Sequence, residues 1–280
     1  MVPSIAPLLY ALAPSAVLFS LFPDQAIYPA AFLLGTWLTV TIIGRASLLW
    51  AFVLGAVLYL FVFFAFTMLP LYPFAGIYLI LHHRLRSQMT PVPRWWEAAR
   101  LAIAIGVGTL AMYALFALLL NYNFLPRFER TMSINHNFDF YLRVGQPPPS
   151  GPESLGTRVT QILNAAWINN LDFAAAIGFP IYILFAAQAI RRIWRLFKER
   201  RAGGDIILMA LLLSFILLNL LGTAQGEVPR LWLFWLPMVA LYAAYELEPH
   251  ARRRPALVYC LGAAQFITIV LTYHFQDLRM

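Results

Sequence analysis

Hydrophobic residues run along the chain in long unbroken segments, and short polar segments separate them. The apolar runs are about 17 to 22 residues long without alternation, which predicts helices rather than strands of a membrane barrel. Backbone groups find no water in a bilayer core, so runs of this kind predict membrane-crossing helices. We predict an all-α, polytopic transmembrane bundle of about nine spans. The spans are residues 5–22, 26–43, 48–66, 67–82, 101–120, 173–190, 206–222, 231–246 and 256–273.

The stretch between Leu48 and Leu81 has no charged residue, and only Leu69-Pro70-Leu71-Tyr72-Pro73 interrupts it. As a single helix it would be about 50 Å long, too long for a hydrocarbon core of about 30 Å. The sequence therefore predicts two helices that are joined at the proline pair.

Basic residues predict the orientation of the spans. Nine spans with a cytoplasmic amino terminus place Arg45 and the basic groups at 84–100, 191–201 and 252–254 in inner loops. This is the asymmetry of the positive-inside rule, and merging spans three and four would reverse it for residues 84–100. We predict a single transmembrane domain, 1–280, in the cytoplasmic (inner) membrane of a bacterium, with an extracytoplasmic carboxyl terminus. The outer basic residues are Arg127, Arg130, Arg143, Arg158, Arg230 and Arg279.

Composition agrees with a membrane protein. The chain of 280 residues is 61% hydrophobic and 11% charged, whereas soluble domains carry about 25% charged residues. The net charge of +8 follows the predicted topology, so we expect no nucleic-acid partner. The single cysteine, Cys260, excludes an internal disulfide, and its position within a span favours a packing role.

Two polar segments interrupt the spans. The outer segment, 121–172, is predicted to be an extracytoplasmic loop between spans five and six, extended at Pro147-Pro148-Pro149. From Glu153 to Asn170 one face of a predicted helix, beside Trp167, should lie on the membrane surface. That face carries Leu155, Val159, Ile162 and Ala166. In the inner segment, 82–100, Trp95-Trp96-Glu97 predict a short interfacial helix that leads into span five.

Few polar residues fall inside the spans. Gln188, Asn219 and Gln265 are the main ones, and single amides of this kind usually form helix–helix hydrogen bonds. The five histidines show no zinc-ligand spacing. A proton-coupled transporter would need carboxylates or histidines at mid-depth, and none is visible there.

Polar residues gather instead at the predicted outer face. The candidate catalytic acids are Asp24, Asp139 and Asp172, and the candidate substrate-binding residues are Arg230, Glu227, His136, Asn170 and Gln225. Arg230 is the strongest candidate, because a guanidinium binds phosphate bidentately and the first turn of a helix favours anions. A purely structural role is the alternative for each residue. Glu227 and Arg230 would then form a bridge, Asn170 and Asp172 would cap span six, and Asp24, His136 and Asp139 would be turn or loop residues.

The segment Gly226-Glu227-Val228-Pro229-Arg230-Leu231-Trp232-Leu233-Phe234, followed by Pro237, resembles the last outer loop and following helix of bacterial GT-C-type membrane glycosyltransferases. These are relatives of protein mannosyltransferases and aminoarabinose transferases. The segments Asn169-Asn170-Leu171-Asp172-Phe173 and Phe64-Ala65-Phe66-Thr67-Met68-Leu69-Pro70 are also similar to parts of such proteins.

The resemblance implies a transferase that takes a sugar from a polyprenyl-phosphate carrier outside the membrane. Arg230 would hold the lipid phosphate, and an acid of the first outer loop would act as base or metal partner. That loop, 22–28, is short here and offers only Asp24, so either Asp24, Asp139 or Asp172 takes this role, or the chain corresponds to the later part of a longer enzyme. No cofactor is required, although Asp24 and Asp139 could contribute to a divalent-cation site if they lie close together.

Two other function classes stay open. The chain could be a non-catalytic membrane scaffold, or half of a two-chain enzyme with a membrane-protein partner, because the expected acidic first loop is missing. A lipid or small-molecule transporter is the weaker alternative. Membrane lipid is a partner under every one of these hypotheses.

Overall fold

The computed structural model describes residues 4–19, 23–87, 95–130, 155–199, 206–221 and 232–275. Helices and no strands form in this part of the chain, which confirms the all-α prediction there. The α-helices are α1 (Ala6–Ala11), α2 (Pro14–Phe19), α3 (Pro23–Arg45), α4 (Leu48–Phe64), α5 (Leu71–Ser87), α6 (Trp95–Leu120), α7 (124–130), α8 (Leu155–Ile177), α9 (Phe179–Glu199), α10 (Ile206–Leu221), α11 (Leu236–Ala251) and α12 (Ala256–Phe275). Two 3₁₀ turns are η1 (Phe66–Met68) and η2 (Leu233–Trp235).

Three described helices are long and apolar enough to cross a membrane: Ile27–Arg45, Trp95–Leu120 and Ala256–His274. A fourth crossing is added if the bent pair of α8 and α9 counts as one span. Helices α4 and α10 are apolar but shorter. The protein therefore has the helices of a membrane protein, and the full set of nine crossings stays a prediction.

The chain forms two compact units, which we describe separately. The first comprises residues 1–30, 143–200 and 224–280, and the second comprises residues 31–142 and 201–223. Helix α3 contributes its first residues to the first unit and the rest to the second.

In the second unit, α4 and α6 lie side by side with their backbones in close contact. Gly55 of α4 lies against the backbone of Ile105 and Thr109, and Gly108 of α6 lies against the backbone of Phe52. A Cβ atom on either glycine would collide with a carbonyl oxygen of the other helix, so only glycine permits this approach. Small residues at a helix contact are the usual device for close packing in membranes, where the hydrophobic effect does not drive helices together.

A hydrogen-bonded threonine lies at the same contact. The hydroxyl of Thr109 lies 3.1 Å from the carbonyl oxygen of Gly55 and 3.0 Å from that of Ile105. The hydroxyl of Tyr72 in α5 donates to Thr109 over 3.2 Å. Three helices therefore share one polar contact within an apolar environment.

The chain breaks between α4 and α5, as the proline pair predicts. Helix α4 ends at Phe64, Ala65 is extended, and α5 begins at Leu71. The helical path ends at Ala65, whereas Leu69 is again in the helical region, and Pro70 stands directly before the first residue of α5. Proline has no amide hydrogen to donate to the preceding turn, so it is suited to the start of the second helix. Helix α5 then packs against α6 and α10 and runs to Ser87.

The predicted short interfacial helix that leads into span five is not an element of its own in the described residues. Trp95, Trp96 and Glu97 form the first turn of α6 itself. Both tryptophan side chains are exposed, 52% and 71%, which suits ring positions at a membrane surface.

In the first unit, α9 packs along α11, and α1 packs on α11 as well. The predicted single helix over 5–22 is wrong, because α1 ends at Ala11 and α2 starts at Pro14. Each of these helices has six residues and would be about 9 Å long, too short to cross a bilayer. Proline at the first position of a helix begins a new helix readily but cannot continue an old one.

The chain turns through 114° between α8 and α9, at Gly178. Gly178 has φ of +89°, a conformation that side chains with a Cβ disfavour. The amide of Gln265 in α12 fills the space where a Cβ would stand and donates from Nε2 to the carbonyl oxygen of Ile177 over 2.7 Å. The predicted boundary between a loop helix ending at Asn170 and a span beginning at 173 is therefore wrong: the helix continues to Ile177.

Candidate functional site

Most of the predicted site residues lie outside the described part of the chain. They are His136, Asp139, Gln225, Glu227 and Arg230, whose predicted roles stay predictions. Asp24 lies in the first turn of α3, and its side chain is also outside the described set.

The remaining predicted residues lie within α8. Asn170 and Asp172 are in the middle of the helix, so the alternative that they cap a helix is wrong. The amide of Asn170 donates to the carbonyl oxygen of Ala166 over 2.7 Å. Asn169 is fully buried, and neither of its amide atoms has a hydrogen-bond partner among the described residues. Asn169 therefore faces the protein interior, whereas Asp172 is half-buried.

An ionic cluster lies between α9 and α11. Its centre is Glu246, a carboxylate whose side chain is 8% exposed and which accepts a hydrogen bond from Arg191 over 2.6 Å. In the amide orientation that satisfies its neighbours, Gln188 donates to the second oxygen of Glu246 over 2.9 Å. Both oxygens of a buried acid are thus bonded, as an ionised carboxylate in an apolar environment requires.

Arg192 completes the ionic cluster. Its Nε lies 2.9 Å from the oxygen of Gln188 in the same amide orientation. The guanidinium also lies over the rings of Tyr242 and Tyr245, 5.7 Å and 5.2 Å from the two ring centres. Cation–π contact and the amide hold Arg192 in place. We define the ionic cluster as Gln188, Arg191, Arg192, Tyr242, Tyr245 and Glu246.

Sequence reasoning identified Gln188 as a buried amide and did not single out Glu246. The missed signal is a glutamate at the end of an otherwise apolar run, because an acid there needs a cation nearby. The sequence analysis placed Arg191 in an inner loop, whereas in the structure α9 continues through this segment to Glu199.

An aromatic cluster lies where α4 and α6 end in the second unit. Phe63 of α4 lies 4.5 Å from Phe116 and 4.8 Å from Tyr122, measured between ring centres. Phe66 lies 5.4 Å from Phe124 of α7 in the same way. We define the aromatic cluster as Tyr59, Phe63, Phe66, Tyr113, Phe116, Tyr122, Phe124 and Phe128.

These ring contacts also give the direction of the two helices. Residues near the carboxyl end of α4 contact residues near the carboxyl end of α6, so the two helices run parallel. Parallel neighbours need a return segment between them, and α5 follows α4 and precedes α6 in the sequence. This direction agrees with the predicted division of the stretch between Leu48 and Leu81 into two helices.

A capped turn folds α7 back onto the aromatic cluster. Asn121 has φ of +51°, a left-handed conformation that asparagine tolerates, and it follows the last residue of α6. The side-chain oxygen of Asn123 accepts hydrogen bonds from the backbone of Leu125, 3.3 Å, and from the hydroxyl of Tyr113, 3.2 Å. Asparagine is a preferred residue at the start of a helix for this reason.

One cation and one polar atom accompany the aromatic cluster. The guanidinium of Arg127 lies 4.6 Å from the centre of the Tyr122 ring, and the Arg127 side chain is exposed. The hydroxyl of Tyr59 is buried and has no hydrogen-bond partner among the described residues. Sequence reasoning counted Arg127 only as an outer basic residue.

Among the residues that the structure describes, no three His, Cys, Asp or Glu side chains come together as a metal site would require. Cys260 is a free, exposed thiol on α12, so the predicted packing role is wrong for the interior of the described part of the chain.

Comparison of the chain with protein-family models, with curated proteins and with solved structures found no significant match. The resemblance to GT-C-type glycosyltransferases therefore stands on the residues quoted above, as a prediction.

Proposed function

We propose that the protein is a membrane glycosyltransferase that moves a sugar from a polyprenyl-phosphate donor to an acceptor at the extracytoplasmic face. The segment around Arg230 supports the proposal by its resemblance to GT-C-type enzymes. The observation from the structure that best supports it is Arg127 over Tyr122, beside the aromatic cluster.

This site offers the two chemistries that a lipid-linked sugar needs. Aromatic faces pack against the apolar C–H faces of sugars and isoprenoid chains. An exposed guanidinium binds phosphate oxygens through charge-assisted hydrogen bonds. The predicted topology puts the carboxyl ends of α4 and α6 at the outer face, where Arg230 is also predicted to lie.

The proposed reaction needs no covalent intermediate with the protein. A carboxylate removes the proton of the acceptor hydroxyl, the hydroxyl oxygen attacks the anomeric carbon, and the bond to the lipid phosphate breaks. Arg230 stabilises the departing phosphate, and Arg127 is a second candidate for the same role. Asp24, Asp139 and Asp172 are the candidate bases.

Helix α8 is proposed to lie along the outer membrane surface. Val159, Leu163, Trp167 and Leu171 follow one another at four-residue spacing, and all are exposed large apolar side chains. The opposite face buries Asn169 and Phe173. A helix with one buried face and one exposed apolar strip suits the boundary between protein and lipid.

A second candidate function is a subunit of a two-chain enzyme. Most of the apolar surface of α6 is exposed, and the exposed residues include Leu110, Leu118 and Leu119. Lipid can cover this surface, but so can a helix of another membrane protein. Co-purification of one stoichiometric membrane-protein partner, with no transfer by the isolated chain, would favour this candidate.

The test is a transfer assay with the purified protein and a polyprenyl-phosphate-linked sugar. We expect Arg230→Ala to lower the rate by about 100-fold, as the loss of one oxyanion-stabilising donor does. Arg230→Lys should also lower it, because an ammonium cannot bind phosphate bidentately. Arg45→Ala, an exposed arginine at the predicted inner face, is the matched control. Full activity of Arg230→Ala would contradict the role of Arg230.

A further inference from the structure

Two arginines lie one turn apart on an exposed face of α9. Arg191 and Arg195 are both exposed, and they are four residues apart, so their side chains are neighbours on the helix surface. Like charges at this spacing destabilise a helix unless an anion lies between or beside them. The acidic residue of α9 is Glu199, the last residue of the helix, four positions after Arg195.

The neighbouring helix supplies only part of the countercharge. Glu246 binds one nitrogen of Arg191, and a guanidinium has five N–H donors, so Arg191 keeps donors for another ligand. Arg195 has no side-chain partner among the side chains that the structure describes, which do not include Glu199. Helix α9 carries Arg191, Arg192, Arg195 and Lys198 against Glu199 and the Glu246 of α11, which leaves an excess of positive charge.

The ionic cluster orients this charge. Glu246 is buried and is held by Gln188, so the carboxylate is a fixed point that directs Arg191. Arg192 is held by Gln188 and by two tyrosine rings. Arg191 and Arg195 are therefore the residues of this face that remain available to bind an anion.

The surroundings of the two arginines identify the anion. Ile190 is 68% exposed and Trp194 is 69% exposed, and they are next to Arg191 and Arg195 in the sequence. Exposed tryptophan and isoleucine beside exposed arginine are typical of the boundary between hydrocarbon and headgroups. The phosphate of a lipid headgroup is an anion found at that depth.

We propose that Arg191 and Arg195 form a binding site for the phosphate of an anionic phospholipid, with Glu246 as the positioning residue for Arg191. Clusters of basic residues at the cytoplasmic end of membrane helices attract anionic lipid, and the predicted topology puts this end of α9 inside. The site is independent of the proposed transfer reaction, which concerns the outer face.

The test is binding of phosphatidylglycerol labelled on its acyl chain to the purified full chain in a neutral detergent, followed by fluorescence anisotropy. We expect Arg195→Gln to weaken binding by about tenfold, because it removes a charge-assisted contact. Arg253→Gln is the control, since Arg253 is exposed in the turn after α11 and loses the same charge. It should change binding by less than about twofold.

A double variant tests the contribution of Arg191 to lipid binding. Arg191→Gln alone leaves a buried acid without its cation, whereas Arg191→Gln with Glu246→Gln removes both charges and should preserve the fold. We expect this double variant also to bind phosphatidylglycerol about tenfold more weakly. A measurement of its thermal unfolding midpoint separates loss of binding from loss of structure.

Three outcomes would overturn the proposal. The first is equal binding by the parent chain and Arg195→Gln. The second is an equal loss in Arg253→Gln, which would indicate a general effect of charge. The third is competition by inorganic phosphate at the same concentration as unlabelled phosphatidylglycerol, which would indicate a site for free phosphate. Phosphatidylcholine should compete poorly.

Discussion

The exposed guanidinium of Arg191 lies 2.6 Å from the buried carboxylate of Glu246, and the pair joins α9 to α11. We expect Arg191→Gln to lower the free energy of unfolding by about 1–3 kcal/mol, because it leaves a buried acceptor unsatisfied. The double variant with Glu246→Gln should recover most of the loss. Denaturant titration of the purified protein in mixed micelles measures both.

Arg195→Gln is the control for this pair. It removes the same charge from the same face of α9 but leaves Glu246 bonded, so the unfolding free energy should change by less than about 0.5 kcal/mol. If Arg191→Gln and Arg195→Gln were equally stable, the ionic cluster would contribute no specific stability.

The glycine contact between α4 and α6 gives a second prediction. Gly55→Ala and Gly108→Ala should each destabilise the protein by about 1–3 kcal/mol, because a methyl group would displace the backbone of the other helix. Gly106→Ala lies on the same helix as Gly108, with open space around it, and should be neutral or stabilising by up to about 1 kcal/mol. Thermal unfolding midpoints in detergent rank the three variants, and equal midpoints would refute the close contact.

The bend at Gly178 gives a third. Gly178→Ala combines a positive φ with a collision against the amide of Gln265, so we expect a loss of about 1–3 kcal/mol. Gly262→Ala in α12 has no neighbour within 4 Å of the new methyl group and serves as the matched control. Should the two variants unfold at the same temperature, the bend would not depend on glycine.

A fourth prediction concerns membrane topology. In a Cys260→Ser background, Leu125→Cys in α7 should react with a membrane-impermeant maleimide added to intact cells. Arg253→Cys should react only after the cells are permeabilised. Both positions are exposed, so the side of the membrane decides their reaction. Labelling of both from one side would contradict the nine-span arrangement.

Several correct predictions came from signals within a few residues of each other in the sequence. The proline pair correctly predicted two helices, and Pro70 stands directly before α5, although the extended residue that ends α4 is Ala65. The buried positions of Gln188, Asn219 and Gln265 follow from amides within apolar runs. Gln265 also forms the predicted contact between helices, because it reaches the carbonyl of Ile177.

Other features depended on partners that are distant in the sequence. The bend at Gly178 needs Gln265, 87 positions later, although a glycine followed by Pro180 is itself a signal for one helix to end and another to begin. Pro14 divides the first predicted span into two helices, and a prediction based on hydrophobicity alone missed this local effect of proline. The ionic cluster could not be predicted, because Arg191 and Glu246 meet only when two helices pack.

The candidate catalytic residues illustrate the other limit of sequence reasoning. Arg230 was chosen for its chemistry and its place at a helix start, and its partners would come from separate loops. The role proposed for Arg127 could not be predicted from the sequence, because its contact with Tyr122 depends on the turn at Asn121 and Asn123.

The 114° turn at Gly178 bears on how the protein is inserted during synthesis. If α8 rests in the plane of the lipid headgroups, α9 alone makes the crossing, and if the pair dips in and returns, there is none. Each case assigns the carboxyl-terminal third of the chain to an opposite compartment. The bend at Gly178 therefore affects whether the number of membrane crossings is odd or even.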